Sequence, residues 1–189
     1  MVMNANFLEF TDPRDGYNYK AVIIGVQLWQ AENLRYAHSS SKIYYNNPDI
    51  GEVYGRIYDV MHFSEICPPG WTVPTQSEWQ ELIDYCGGPI FAGNELKEAG
   101  NEHWSRYNKD TTNSSGFTAL LGGAYIGFDV FTDLRESGYF WSSTLERQDS
   151  FFNYYFGVAM DGIGSEADIS SGVLDNNFII VRCIKSSAK

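Results

Sequence analysis

The stretch that decides the fold is CPPGWTVPTQSEWQELIDYCGG, residues 67–88. Its apolar side chains recur at i, i+3, i+4 and i+7, the spacing of one buried helical face, at Trp79, Leu82, Ile83 and Cys86. Thr75 and Glu78 have the spacing of a capping box, in which each side chain accepts a hydrogen bond from an otherwise unpaired N–H of the first turn. Gly87 ends the pattern, because glycine readily adopts the positive φ of a helix C-terminus. The stretch predicts a helix over roughly residues 75–86.

Composition favours one domain built mainly from sheets and turns. The 189 residues are 43% hydrophobic and 16% aromatic, with 18 glycines interspersed, which is a poor match to a helical bundle. Asp and Glu exceed Lys and Arg by 24 to 13, so the net charge of −11 repels nucleic-acid phosphate. We therefore expect no nucleic-acid partner.

No apolar run approaches the ~18 residues that a membrane-spanning helix requires. The first residues, MVMNANFLEF, lack the basic and apolar segments of a leader peptide, although this does not settle whether the protein is exported. Three cysteines are too few for a disulfide scaffold. Cys86 is expected to be a buried thiol, and Cys67 and Cys183 are left as a possible pair.

Around the predicted helix, the chain alternates strands and loops. We expect strands at residues 17–26, 27–30, 53–58, 117–121, 123–128, 138–144, 151–160 and 178–185. A weaker helix is predicted at 59–66 and a single turn at 94–99. Residues 33–47, 101–116 (with Trp104 and Tyr107) and 161–177 are predicted to be loops. Residues 1–18 are interpreted as an irregular N-terminal extension, and 19–189 as a single domain.

Several segments occur in an order that is specific to a known family: IGVQLWQAENL (24–34), YGRIY (54–58), CPPGWTVPTQSEW (67–79), GFTALLGGAY (116–125), GYFWSST (138–144) and VRCIK (181–185). In these segments the chain resembles the Fibrobacter succinogenes major paralogous domain family, over roughly residues 19–185. That family is distantly similar to formylglycine-generating, sulfatase-modifying proteins and to retroelement-diversified variable proteins.

The resemblance implies an α+β, C-type lectin-like fold with antiparallel sheets, two flanking helices and long loops. It also implies framework roles for the shared residues. We expect the aromatic ones to be core side chains, namely Trp71, Trp79, Phe117, Phe140 and Trp141. Gly122 and Gly123 are expected at positions of close backbone approach. In such a fold Cys67 and Cys183 would be adjacent, either as a disulfide or as two neighbouring buried thiols.

Catalytic signatures are missing from the sequence. His38, His62 and His103 have no metal-ligand spacing, and there is no nucleophile elbow or glycine-rich phosphate loop. The sulfatase-modifying relatives need a reactive cysteine pair in the second half of the chain, where this sequence has only Cys183. We therefore expect no enzymatic activity and no cofactor.

Acidic residues at 161–177 suggest a calcium site, because hard cations prefer carboxylate oxygens. The residues concerned are Asp161, Glu166, Asp168 and Asp175. Their spacing does not match an EF-hand, and the Glu-Pro-Asn triplet of sugar-binding C-type lectins is absent. Solvated acidic turns are the preferred interpretation, so no metal site is predicted.

The remaining candidate is a contact surface in the C-terminal third. Tyrosine offers a large amphipathic area at low entropic cost, and asparagine both donates and accepts hydrogen bonds. The predicted ligand-binding residues are Tyr154, Tyr155, Asp161, Asp168, Asp175, Asn176 and Asn177. The alternative is that alternate residues of FFNYYF simply face the core.

The function predicted from the sequence is a non-catalytic binding or display domain, secreted or on a bacterial cell surface, or on a virion. Its partner would be a protein or a glycan on a surface. The alternative is a structural module that assembles a surface layer or fibre as a homo-oligomer. A sulfatase-modifying type of enzyme is the least favoured interpretation.

Overall fold

The computed structural model describes residues 6–106, 110–127 and 129–185. Tyr107 and the last residue of the strand predicted at 123–128 lie outside the described residues. Within these ranges the chain is a mixed α+β domain with mostly strands and few helices. The helices are α1 (Pro48–Tyr54), α2 (Phe63–Ile66), α3 (Gln76–Tyr85) and α4 (Ala92–Leu96).

The first sheet joins the two ends of the chain. Its strands are β1 (Leu8–Thr11), β2 (Asn18–Ile24), β3 (Gln27–Gln30) and β12 (Ile184–Lys185), in the order β1-β2-β3-β12. All its neighbours are antiparallel, and Ile184 of β12 lies opposite Trp29 of β3. Strand β1 was not predicted, since of its four residues only Phe10 is partly buried.

The second sheet carries the long hairpins. Its main strands are β4 (Ser41–Lys42), β5 (Ile57–Tyr58), β8 (Ser137–Gln148), β9 (Asn153–Asp161), β10 (Asp168–Leu174) and β11 (Ile179–Ile180). Their order is β10-β9-β8-β11-β5-β4, and a further hairpin, β6 (Gly122–Ile126) and β7 (Val130–Leu134), joins it through β8. The prediction of antiparallel sheets is confirmed only in part for this sheet. β10, β9 and β8 pair antiparallel, as do β11, β5 and β4, but β11 and β6 both run parallel to β8.

Helix α3 confirms the prediction made from the 67–88 stretch. Thr75 is its N-cap, and both hydrogen bonds of the capping box to Glu78 are present. Trp79, Leu82 and Ile83 face the core and are buried. The expected pair of flanking helices is an underestimate, since α1 was predicted partly as loop and partly as strand. Its N-terminus follows known rules: Asn47 accepts a hydrogen bond from the N–H of Asp49, and proline occupies the first turn.

The five predicted core aromatics are buried, and Trp79 lies at the centre of the main cluster. Its ring lies 4.8 Å from that of Trp29 and 5.8 Å from those of Phe117 and Phe140. Each such ring removes ~150–250 Å² of surface from water, so this cluster contributes much of the driving force for folding.

The segment predicted as one strand at 178–185 is divided between the two sheets. Arg182 turns into the interior between β11 and β12, where it is fully buried. Its guanidinium donates to Asn33 Oδ1 and to the backbone carbonyls of Gln30, Phe117 and Thr118. A single cation therefore connects the end of the chain to two earlier segments.

Within the segment interpreted from the sequence as an N-terminal extension, Asp12 and Arg14 make contacts that connect it to the rest of the fold. Asp12 is fully buried and accepts hydrogen bonds from Arg14. Arg14 in turn donates to the carbonyls of Glu65 and Ile66 at the end of α2, and its guanidinium lies 3.7 Å from the ring centroid of Tyr36. These contacts hold the turn after β1 against α2.

Candidate functional site

The end of the β8–β9 hairpin, residues 145–154, carries the most exposed large hydrophobic residue that the structure describes, and we call this segment the hairpin tip. Its turn is fixed by Asp149, whose Oδ1 accepts hydrogen bonds from the N–H groups of Phe151 and Phe152 at 2.8 and 2.9 Å. These hydrogen bonds lower the pKa of Asp149. The side chain of Phe151 is 86% exposed. An ordered turn thus presents a large apolar ring to solvent.

Tyr154 is part of this tip. Its hydroxyl donates to Asp149 Oδ2 at 2.9 Å, and the guanidinium of Arg147 lies 3.5 Å from its ring centroid. Arg147 Nη1 is also 3.9 Å from Asp149 Oδ2. The tip therefore combines exposed aromatic surface with the neighbouring charges of Arg147 and Asp149.

Asp175 fixes the end of β10 beside the tip. Its Oδ2 accepts hydrogen bonds from the backbone N–H and the side-chain amide of Asn153, at 2.9 and 3.1 Å. Asn176 follows as an exposed residue, and Asn177 donates its backbone N–H to the carbonyl of Leu174. These three predicted site residues therefore lie at the same end of the sheet as Tyr154.

Asp161 and Asp168 lie at the other end of the same strands. Asp168 is opposite Ala159, whereas Tyr154 is opposite Leu174. At ~3.4 Å per residue, the five positions from Tyr154 to Ala159 separate the two ends by ~17 Å. The structure therefore does not bring all seven predicted contact residues together.

Tyr155 faces the interior rather than the tip surface. Its ring centroid lies 6.0 Å from that of Phe63 and 6.1 Å from that of Trp141, both in edge-on contact. It packs against the second core cluster as a partly buried residue. Tyr155 therefore follows the alternative prediction, in which alternate residues of FFNYYF face the core.

Phe151, Asp149 and Arg147 were missed by the sequence prediction. Asp149-Ser150 is a turn signal between two alternating segments, and it could have located the hairpin end. The predicted strand at 151–160 instead absorbed Phe151, which lies in the turn before β9.

Asn177 also lines a cavity of about 350 Å³ between the β6–β7 hairpin and strands β8–β10. Five other side chains with polar groups line it: Thr132, Asp133, Tyr139, Ser170 and Ser171. Tyr139 donates its hydroxyl to Asp133 Oδ2 at 3.0 Å. This cavity was not predicted, because its walls come from strands that are distant in the sequence.

A second cavity, of about 370 Å³, is lined by Ala31, Glu32, Asn33 and Arg182 among others. Here Arg182 is held by its four hydrogen bonds, and Asn33 donates to the carbonyls of Tyr54 and Leu120. These polar groups are already hydrogen-bonded within the protein. The AENL (31–34) and VRC (181–183) segments therefore stabilise the fold.

Cys67 and Cys183 form a disulfide, with their Cα atoms 6.0 Å apart. Cys86 is a free, buried thiol whose pKa is raised by burial to about 12. Among the residues that the structure describes, no group of three or more His, Cys, Asp or Glu side chains is arranged to hold a metal ion. None of the helices in these ranges has the length and apolar character that a bilayer crossing requires.

Together, these features define a disulfide-linked α+β domain with an ordered, exposed hairpin tip. The chain belongs to the Fibrobacter succinogenes major domain family, whose family model matches residues 22–185. No curated protein and no solved structure matches it significantly.

Proposed function

We propose that this protein is a non-catalytic binding or display domain that recognises a ligand on a surface through its hairpin tip. The observation that carries the proposal is the exposure of Phe151 on a turn held by Asp149. Exposing a large ring to water is unfavourable, and a partner that covers it gains hydrophobic free energy. Because the turn is already ordered, little conformational entropy is lost on binding.

The surroundings of Phe151 suit a protein or glycan partner. Aromatic and arginine side chains carry most of the binding energy in known interfaces, and here Tyr154 and Arg147 flank the exposed ring. Tyr154, Asp175 and Asn176 remain the predicted contact residues at this end. Asp161 and Asp168 are too distant to contact the same small ligand.

The cysteines support the non-catalytic assignment. Two of the three are joined in a disulfide that links the segment before α3 to the last segment of the chain. The third, Cys86, is buried with a raised pKa, which disfavours the reactive thiolate. No cysteine pair of the sulfatase-modifying type is therefore free to react.

We further propose that the domain has a C-type lectin-like arrangement and works outside the cytosol. The pairing of β12 with β3, the helix α3 and a second sheet with long hairpins all support this arrangement. Disulfides persist in oxidising environments, which supports a secreted or cell-surface location, or a virion.

The test is a binding screen against arrays of bacterial surface glycans and purified extracellular proteins, followed by calorimetry on any ligand found. We expect Phe151→Ala and Tyr154→Ala each to weaken binding by tenfold or more, on the order of a typical hot-spot residue. Asp168→Ala, at the other end of the sheet, is the matched control and should leave the affinity unchanged. A ligand whose binding depends on Asp168 but on neither aromatic residue would overturn the proposal.

The alternative is a structural module that assembles through the same tip, since exposed aromatic residues also favour self-association. Sedimentation velocity at micromolar concentration distinguishes the two functions. A stable homo-oligomer that dissociates on Phe151→Ala would favour assembly, whereas a monomer that binds an array ligand favours recognition.

A further inference from the structure

None of the hairpin-tip residues lines the cavity beside Asn177, so the cavity has its own chemistry. One wall is the β6–β7 hairpin, with Ala124, Ile126 and Thr132, and the other is formed by β8–β10. Its volume of about 350 Å³ is near the lower end of the range for small-molecule sites. The space therefore suits one compact ring rather than an extended peptide.

Polar groups are available in this cavity. Asp133 accepts one hydrogen bond from Tyr139 at Oδ2. The side chains of Thr132, Ser171 and Asn177 make no hydrogen bond to another residue that the structure describes. These hydroxyl and amide groups both donate and accept hydrogen bonds, whereas a carboxylate only accepts.

The charges of the cavity restrict its ligand. Asp133 is acidic, and among the described residues that line the cavity there is no lysine or arginine. The chain also carries a net charge of −11. An anionic ligand would be repelled here, whereas a neutral molecule with several hydroxyl groups can donate to Asp133 and exchange hydrogen bonds with Thr132 and Asn177.

The cavity also has apolar walls. Ile126, Val158, Val173 and Ile179 line the same cavity as the polar groups. A pyranose ring has hydroxyl groups around its edge and apolar C–H groups on its faces, so it matches both kinds of wall. We infer that this cavity binds one neutral sugar residue, either a free sugar or the end of a glycan.

The experiment uses ligand-detected NMR with the full chain. The probes are glucose, galactose, mannose and N-acetylglucosamine, each as the free sugar and as the methyl glycoside, which mimics the end of a glycan. Galacturonate and glucose 6-phosphate are the anionic comparators for galactose and glucose. We expect at least one neutral sugar to bind, and to bind more tightly than its anionic counterpart.

Variants then locate the site. Thr132→Val keeps the side-chain shape and removes the hydroxyl, and Asn177→Ala removes the amide. Each should weaken sugar binding by about tenfold, as for one lost hydrogen bond. Ser150→Ala, which removes an exposed hydroxyl outside the cavity, is the control and should bind the sugar as the native chain does.

The inference is independent of the ligand proposed for the hairpin tip, because the tip variants and the cavity variants give separate readouts. Thermal unfolding of each variant checks that the fold is intact. The inference is overturned if no neutral sugar binds, if the anionic sugars bind as tightly, or if folded Thr132→Val and Asn177→Ala both retain native affinity.

Discussion

Arg182 and Asn33 meet in the interior of the protein, where Nε of Arg182 donates to Oδ1 of Asn33 at 2.8 Å. Asn33 uses its amide group to donate to the carbonyls of Tyr54 and Leu120. The two side chains therefore connect four segments of the chain, two of them through backbone carbonyl groups. Burial lowers the pKa of Arg182, but guanidinium groups stay protonated in proteins, so the carbonyl partners must compensate a buried charge.

The first prediction concerns this buried cation. Arg182→Lys replaces a planar fork that makes four hydrogen bonds with a single ammonium, so some of the carbonyls lose their donor. We expect the free energy of unfolding to fall by ~2–4 kcal/mol, measured by urea denaturation. Arg106→Lys is the matched control at an exposed position and should change it by less than ~0.5 kcal/mol. Equal free energies of unfolding for the two variants would contradict the stabilising role of the Arg182 hydrogen bonds.

The second prediction concerns the disulfide. Cys67 and Cys183 are separated by 116 residues, so their bond restricts the unfolded chain strongly. In the chain-entropy model, replacing both by alanine lowers the free energy of unfolding by ~4–5 kcal/mol, an upper value for native disulfides. Reductant should destabilise the native chain in denaturant titrations and leave the double variant unchanged. A native chain insensitive to reductant would show that the bond does not form in solution.

The third prediction is a pH dependence caused by Lys97. Its side chain is fully buried, and its Nζ donates to the carbonyls of Asp161 and Gly164. Burial lowers its pKa from 10.5 to about 8, and the carboxylates of Asp161 and Glu166 oppose this only in part. At pH values between about 8 and 10.5, the unfolded chain binds more protons than the folded chain. The free energy of unfolding therefore rises with pH in this range.

We therefore expect the free energy of unfolding of the native chain, relative to Lys97→Met, to rise by on the order of 3 kcal/mol from pH 8 to 10.5. Denaturant titrations at fixed temperature across this range provide the measurement. Lys20→Met, which removes an exposed ammonium, is the matched control. Parallel pH profiles for the native chain and Lys97→Met would refute the prediction.

The fourth prediction concerns Gly93 in α4, whose N–H donates to the carbonyl of Ser165 at 2.8 Å. A Cβ at this position would lie 2.6 Å from the Ser165 carbonyl oxygen and closer still to that of Glu166. We expect Gly93→Ala to lower the free energy of unfolding by ~1–3 kcal/mol, as other overpacked sites do. Gly127→Ala has room for its Cβ, so it should lower the free energy of unfolding less. Thermal unfolding of the two variants provides the comparison, and an equal loss of stability would contradict the prediction.

Local signals made α3 predictable from the sequence. Its capping box, apolar stripe and terminal glycine all lie within residues 75–88, and each acts on neighbouring backbone groups. Helix α1 has an equally local signal at Asn47-Pro48, but the tyrosines around it were interpreted as loop and strand. The sequence thus contains the signal for the start of α1, but the tyrosine-rich composition of the flanking segments favours loop and strand.

Long-range contacts explain why other elements were not predicted. The apolar run at 178–185 has the composition of one buried strand, yet Arg182 finds carbonyl partners at Gln30 and Phe117, which no local pattern reveals. Strand β10 is an edge strand whose first part, with Asp168, two serines and a glycine, resembles a loop in sequence.

The same limitation applies to the candidate site. The sequence identified Tyr154 and Asp175, which the structure brings to one end of the sheet together with Asn153. It also grouped Asp168 with them, because proximity in sequence does not reveal the register of β9 with β10. The exposure of Phe151 depends on where the hairpin turns, and that position follows from the pairing of Arg147 with Tyr154.

The contacts of Arg182 also impose an order on biosynthesis. Asn33 and Gln30 are made 149 and 152 residues before the guanidinium that they bind. The ribosome makes Arg182 after all of these partners, so this part of the interior cannot be completed before residue 182 has been translated. Until then, the carbonyl groups of Gln30, Phe117 and Thr118 lack the guanidinium donor that they have in the folded domain.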